Sequence, residues 1–350
     1  MATNSSFTAL PDDVLQRVLL GVARDDHDAT AAACRAFRDV IRGPRFLRLR
    51  REYGFAERGI FLVGSRPNPP HRGPMEIHLA GNRVPVEIMP EDLRTNIRGS
   101  TTDGGARLFV STYREDAARP YEVVAVNGSS RRWSRFATLP RWNLVGHCME
   151  WHGGLLYVAG GSGPSNTLYA FDEATGLWED LPPMPVACAM AASGVIGNEL
   201  FVAGGRGGPA RGNEDLSFLQ IYDFTARAWR QGAPLPHAQR GACGVVVDRK
   251  LYLVSTKMSP VRSTLVYDVQ SNTWRVDIPH PYGDIPPAYG QPRGAMHAFA
   301  HKGRIVVVKT SSRASHRGPG SDVSDANWYP FDLDMAPGVD HGVAGSVIIG

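Results

Sequence analysis

The spacing of apolar residues along the chain changes character once, near residue 55. Before it the period is helical. Leu10, Val14, Leu15, Val18, Leu19 and Val22 recur at i, i+4, i+5, i+8, i+9 and i+12, the stripe of an amphipathic helix. Pro11 suits the first helical position, where its missing N–H costs nothing, and Asp12 and Asp13 suit the positive end of the helix dipole. The pattern predicts a second helix from about Asp28, with Ala33, Phe37, Val40 and Ile41 on one stripe, ending near Gly43-Pro44. A third carries Phe46, Leu49 and Tyr53 and stops at Gly54. Three helices in so short a block cannot bury all these side chains among themselves. The surplus is expected to face a neighbouring domain or a partner.

Beyond residue 55 the apolar runs are short and are punctuated by glycine, proline, asparagine and aspartate, which predicts strands and turns. Three segments align on fixed landmarks: YAFDEATGLWEDLPPMP, QIYDFTARAWRQGAPLP and LVYDVQSNTWRVDIPHP. In each, Asp (172, 223, 268) precedes Trp (178, 229, 274) by six residues, and Trp precedes Pro (185, 236, 281) by seven. A weaker copy keeps these offsets at Asn127, Trp133 and Pro140. Upstream of the three copies lie LLYVAGG, ELFVAGG and a degenerate KLYLVST, each preceded by another apolar run. Every unit therefore reads as four short strands, a to d, repeated every 45 to 51 residues. Such a unit cannot bury both faces alone, and stacking the units around an axis does so.

The strand-ending Gly-Gly, the Tyr-Asp and the Trp six residues on resemble kelch repeats, which implies a kelch β-propeller with the tryptophans filling the space between blades. Clear units cover about 143–182, 187–234 and 240–280, with a degraded one at 95–140. Residues 294–335 supply a fifth, and 59–90 a sixth that lacks strand a. The expectation is six blades, with the C-terminal run 341–350 closing the ring as the missing strand.

The helical block resembles an F-box through Leu10-Pro11-Asp12-Asp13-Val14-Leu15, Cys34-Arg35-x-Phe37-Arg38 and Pro44-x-Phe46. It departs in carrying Phe37 where Trp is usual. Together the modules resemble plant F-box/kelch-repeat proteins. The fold expected is mainly β, a six-bladed kelch propeller (55–350) behind a small three-helix F-box domain (10–54) and a disordered N-terminus (1–9). The resemblance implies the substrate receptor of an SCF-type ubiquitin ligase, in which the F-box docks a Skp-type adaptor and through it a cullin scaffold. Leu10, Pro11, Val14, Leu15, Val18, Phe37 and Ile41 would be the apolar anchors of that contact. Intradomain packing is the alternative role for several of them, above all Phe37. The propeller would hold a protein for ubiquitination and proteasomal degradation, such as an enzyme of phenylpropanoid metabolism or a hormone-signalling regulator. The rival reading is a kelch scaffold or ligand-binding protein with a vestigial F-box.

The b–c and d–a connections of a propeller emerge on one face, and here they are basic. Arg114, Arg206, Arg211, Lys257, Arg262 and Arg313 fall on b–c loops; Arg141, Trp142, His237, Arg240 and Tyr282 fall on the d–a side. This predicts a mouth for an acidic or phosphorylated surface of the target protein. Arginine is also common on solvated loops, the plainer account of any single residue.

Composition narrows the remaining classes. The net charge of +4, from 38 basic and 34 acidic residues, is too small to argue nucleic-acid binding. The four cysteines stand apart with no CxxC spacing, which fits reduced thiols and a chain of the cytoplasm and nucleus. The first ten residues lack the pattern of a signal peptide, and no apolar run approaches the roughly 18 residues of a membrane span. No HxH, HExxH, GxSxG or P-loop spacing occurs, so neither a metal, a cofactor nor catalysis is expected.

Overall fold

The structure, a computed structural model, describes residues 11–22, 27–43, 45–53, 57–65, 77–79, 82–84, 96–105, 107–113, 121–127, 132–141, 144–161, 165–208, 213–254, 263–279, 296–301, 304–310, 328–333 and 341–349. The chain divides into two compact units, 1–59 with 348–350, and 60–347.

Among the described residues the first unit has four helices where three are expected: α1 (Asp12–Leu20), α2 (His27–Ala33), α3 (Arg35–Ile41) and α4 (Phe46–Glu52). The expected second helix breaks at Cys34, whose backbone is extended (φ −156°, ψ 166°). Its Sγ accepts a hydrogen bond from the Phe37 N–H at 3.5 Å, so Cys34 caps α3 as a serine would. The sequence up to it, HDATAAA, has only short side chains after His27, and helical spacing alone gives no sign of the break. Leu15, Leu19, Leu20, Ala31, Ile41, Phe46 and Leu49 form this unit's core. Arg50 is buried beside it and donates from Nη1 to the Leu20 carbonyl at 2.7 Å, placing a cation at the C-terminal end of α1.

The second unit contains four complete four-stranded antiparallel sheets, each in the order a-b-c-d. The first blade comprises Asn96–Thr102, Arg107–Tyr113, Glu122–Asn127 and Trp133–Thr138. The second comprises Cys148–His152, Leu155–Ala159, Leu168–Asp172 and Leu177–Leu181. Ala192–Ile196, Glu199–Ala203, Leu219–Asp223 and Ala228–Gln231 make the third, and Cys243–Val247, Lys250–Val254, Ser263–Asp268 and Thr273–Pro279 the fourth.

The expectation of six blades is corrected to four complete ones among the described residues. A further sheet has three strands, Met296–His301, Arg304–Thr310 and Trp328–Leu333, and the last runs parallel to the second, where a blade requires antiparallel pairing. The C-terminal strand His341–Ile349 does pair with Glu57–Ser65, but as a two-stranded sheet. Ile77–Leu79 and Asn82–Val84 form a separate hairpin. The four complete blades are those whose sequences carry the Trp landmark.

The landmarks have visible physical work. Asp172, Asp223 and Asp268 each accept from backbone N–H groups of the c–d turn through Oδ1: Ala174 at 2.8 Å, Thr225 at 2.8 Å and Gln270 at 3.0 Å. The carboxylate thereby fixes the tight reversal between strands. Trp178, Trp229 and Trp274 lie opposite Phe171, Tyr222 and Tyr267 in register. Each indole Nε1 donates to a carbonyl of the preceding blade: Thr138 at 2.8 Å, Pro182 at 2.7 Å and Ala233 at 2.8 Å. The glycines after strand b are dictated from the other side. At Gly160 (φ +66°) and Gly204 (φ +64°) a Cβ would lie 2.4 and 2.3 Å from the carbonyl oxygens of Cys188 and Gln239, on segments leading into the following blade.

The cores lie between blades rather than within them. Phe109, Val123 and Ala137 of the first pack on Met149, Leu156 and Phe171 of the second. Tyr157 and Leu168 meet Leu200 and Tyr222, and Phe201 and Ile221 meet Leu251 and Tyr267. The second, third and fourth sheets thus bury both faces against their neighbours.

Candidate functional site: the central channel and the exposed face of the first helix

The inner strands of successive blades lie side by side, and with the strand Met296–His301 they line a channel of about 650 Å³. Its described lining includes two carboxyl groups, Glu150 and Asp103. Glu150, in the middle of the inner strand of the second blade, accepts from Ser193 Oγ of the third blade at 2.6 Å through Oε1. Burial outweighs that hydrogen bond and lifts the carboxyl to about 7. His147 lies on the same lining. Its Nδ1 sits 2.5 Å from the Leu144 carbonyl oxygen, which can only accept, so Nδ1 carries the hydrogen. Burial lowers the imidazole below its ordinary value, and Nε2 is left buried without a hydrogen-bond partner.

Burial favours the protonated form of the thiols of the region. Burial raises Cys148 well above the usual range and pushes Cys188 up to about 12 and Cys243 to about 11. Among the described residues no group of three or more His, Cys, Asp or Glu side chains is placed to hold a metal ion. Asp103, at one end of the channel, is neutralised by Arg107 Nε at 2.8 Å. Arg107 also binds Glu173 of the second blade at 2.6 Å and lies over the Phe109 and Trp151 rings at 5.0 and 5.3 Å, clasping the first two blades.

Sequence reasoning passed over Glu150, Ser193 and His147. The available signal was weak: a single glutamate inside CMEWH, between an apolar start and a strand-ending glycine pair.

The expected basic mouth is described only in part. Arg141 is exposed. Arg206 is exposed and donates from Nε to the Asn213 carbonyl at 3.2 Å. Arg240 is half-buried and spends its charge on Asp215 at 2.8 Å, so it is not an open cation for a partner; His237 is half-buried. Arg114, Trp142, Arg211, Lys257, Arg262, Tyr282 and Arg313 lie outside the described residues.

On the helical unit, the expected anchors separate into two stripes. Pro11, Val14 and Val18 are exposed, Val14 by 39% and Val18 by 52%. Leu15 and Ile41 are a correction: they are buried in the unit's own core, because the stripe that includes Leu15 and Leu19 faces the other helices. Phe37 is half-buried against that core, and Leu10 lies outside the described residues. No described helix is long and apolar enough to cross a membrane.

Four-stranded blades with Asp-capped turns, inter-blade tryptophans and inner strands around a channel define a mainly β fold of kelch-type propeller blades. The Kelch motif family profile matches residues 144–185 and 187–236, the second and third blades. Among curated proteins, the chain is similar to Kelch-like protein 34 of Homo sapiens, 27% identical over 223 residues, covering 57% of this chain and 33% of that protein. Kelch-like protein 23 of Pongo abelii is 28% identical over 208 residues, covering 57% of this chain and 36% of that protein. The matched part thus spans about a third of the length of these relatives. An F-box/kelch-repeat protein of Arabidopsis thaliana is 24% identical over 283 residues, covering 76% of this chain and 71% of its own length.

Proposed function

We propose that the chain is the substrate-recognition subunit of an SCF-type ubiquitin ligase of the cytoplasm and nucleus. Its helical unit, read as an F-box, docks a Skp-type adaptor and through it a cullin. Its propeller binds a target protein for ubiquitination and degradation. Plant origin and a target in phenylpropanoid metabolism or hormone signalling belong to this reading through the resemblance alone. The chain itself performs no chemistry, since such a receptor acts by raising the local concentration of its target near the ligase.

The single observation that carries the reading is the Val14–Val18 stripe. Two apolar side chains one turn apart stand exposed on a helix whose opposite side is anchored by Leu15, Leu19 and Leu20. Similarity to an F-box/kelch-repeat protein over 76% of this chain supports it. Around the loops, the exposed Arg141 and Arg206 suit an acidic or phosphorylated target surface.

The test is capture of a purified Skp-type adaptor by the full chain. The double variant Val14→Asp/Val18→Asp is expected to lose adaptor affinity by at least tenfold while melting as the parent does, because both positions are solvent-facing. Equal capture by parent and variant, or none by the parent, would leave the scaffold reading in its place.

A further inference from the structure

The helical unit concentrates positive charge on its last two helices. Residues 35–53 contain seven arginines against two acidic residues, Asp39 and Glu52. Arg50 is buried, whereas Arg35, Arg38, Arg42, Arg45 and Arg48 are exposed. Arg35, Arg38 and Arg42 recur at i, i+3 and i+7, so they share one face of α3 and its C-terminal cap, over about 10 Å. Arg45 and Arg48 continue the three-residue step across the turn into α4. Phe37, Val40, Ile41, Phe46 and Leu49 of the same segment pack on the unit's core instead.

Little within the unit neutralises this stripe. Arg35 pairs with Asp39 at 3.8 Å, but its side chain stays 91% exposed, and such pairs contribute little. Arg38 donates from Nε to the Ala31 carbonyl at 3.2 Å, which fixes the guanidinium and leaves its terminal nitrogens without an acceptor among the described residues. Arg42, Arg45 and Arg48 have no ion pair among the described residues. Neither helix has an acidic residue in its first turn. Like charges at helical spacing repel one another, and an anionic partner removes that cost.

We propose that this face of α3 and α4 is a docking surface for an acidic protein segment, a helix presenting Asp or Glu at the same i, i+3, i+7 spacing. The planar fork of each guanidinium matches a carboxylate bidentately, and equal spacing lets several pairs form in one register. The apolar side of α3 is spent on the unit's own core, so no hydrocarbon face remains for insertion into an anionic membrane. No aromatic side chain stands exposed between Arg35 and Arg48 among the described residues, which removes the stacking that holds a single nucleic-acid strand. This surface goes beyond the ligase reading, which uses Val14 and Val18 on α1 and the propeller loops.

The experiment is fluorescence anisotropy of the full chain with a labelled helical peptide of alanine and glutamate, its glutamates spaced i, i+3 and i+7, beside the same peptide with glutamine. Labelled oligothymidylate and phosphatidylserine vesicles are the other probes. The expected result is saturable binding of the glutamate peptide, weakening as salt rises, and none of the glutamine peptide. Arg35→Gln/Arg42→Gln/Arg48→Gln is expected to weaken binding about tenfold, the sum of three exposed pairs. Arg132→Gln/Arg135→Gln/Arg249→Gln removes the same charge from exposed positions of the propeller and is expected to keep the parent's affinity. No saturable binding, an equal loss in the two triple variants, or tighter binding of oligothymidylate or vesicles than of the peptide would each overturn the proposal. If the first triple variant fails to fold, hydrogen exchange in the parent decides: the peptide is expected to slow the α3 and α4 amides, and protection confined to other elements overturns the proposal. No adaptor is present in any arm, so the result is independent of the ligase reading.

Discussion

At the scale of single residues, the repeat landmarks turn out to be three separate solutions to three local problems. The aspartate closes a turn, the tryptophan ties a blade to its predecessor, and the glycine admits a carbonyl from the segment leading into its successor. The Trp229 indole shows how these contributions separate. It packs against Tyr222 with ring centroids 5.1 Å apart and donates to Pro182 across the blade boundary. Trp229→Phe keeps most of the ring and loses the hydrogen bond, for an expected loss of about 1 kcal/mol in urea unfolding. Trp229→Ala loses the packing as well and should cost about 3 kcal/mol, the low end for buried aromatics because the ring is partly exposed. These residues were legible because each copy repeats them at the same offset. Glu150 was not, because no other blade repeats it.

At the scale of elements, periodicity located the helices but miscounted them. Helical spacing continues across Cys34, so Ala33 and Phe37 fall on one stripe although they belong to different helices. What separates them is a backbone conformation and a weak sulfur cap, neither of which alters apolar spacing. Cys34→Ser places a stronger acceptor in front of the same Phe37 N–H. It is expected to stabilise the helical unit by about 0.5 kcal/mol, measured as slower hydrogen exchange of the α3 amides. The strands show the reverse case. A run such as RIVVVKT is read correctly as a strand, yet nothing in it tells that its neighbour Trp328–Leu333 will lie parallel. Pairing direction is decided by the path of the chain between the two strands, which local propensity does not encode.

At the scale of the whole molecule, the channel makes stability depend on pH. Glu150 is raised to about 7 in the folded chain, against about 4.3 for an unfolded glutamate. The folded state therefore holds the proton more tightly between those values. The contribution is full below pH 4.3, is lost as the pH rises to about 7, and is level above. Relative to Glu150→Gln, the parent is expected to lose about 2 kcal/mol between pH 4.5 and 7.5, a figure already reduced for water in the channel, as read from paired urea titrations. Parallel curves for the two proteins would show that the carboxyl group is solvated as on a surface.

The sequence by itself marked the four segments that become complete blades, because turn caps, inter-blade indoles and close-approach glycines act through chemistry carried by the residue in place; the two blades expected from apolar runs alone, at 59–90 and 294–335, are not complete among the described residues. It also determined the helical unit and the apolar stripe on its first helix. Only the tertiary structure decided that Leu15 and Ile41 face inward while Val14 and Val18 face out, that Arg240 is spent on Asp215, and that Glu150 and Ser193 meet across two blades. Each of these depends on groups far apart in sequence, or on different helices, being brought within a few ångströms of each other. Burial, charge pairing and the proton affinity of a carboxyl group are properties of that surrounding, and it exists only once the chain has folded.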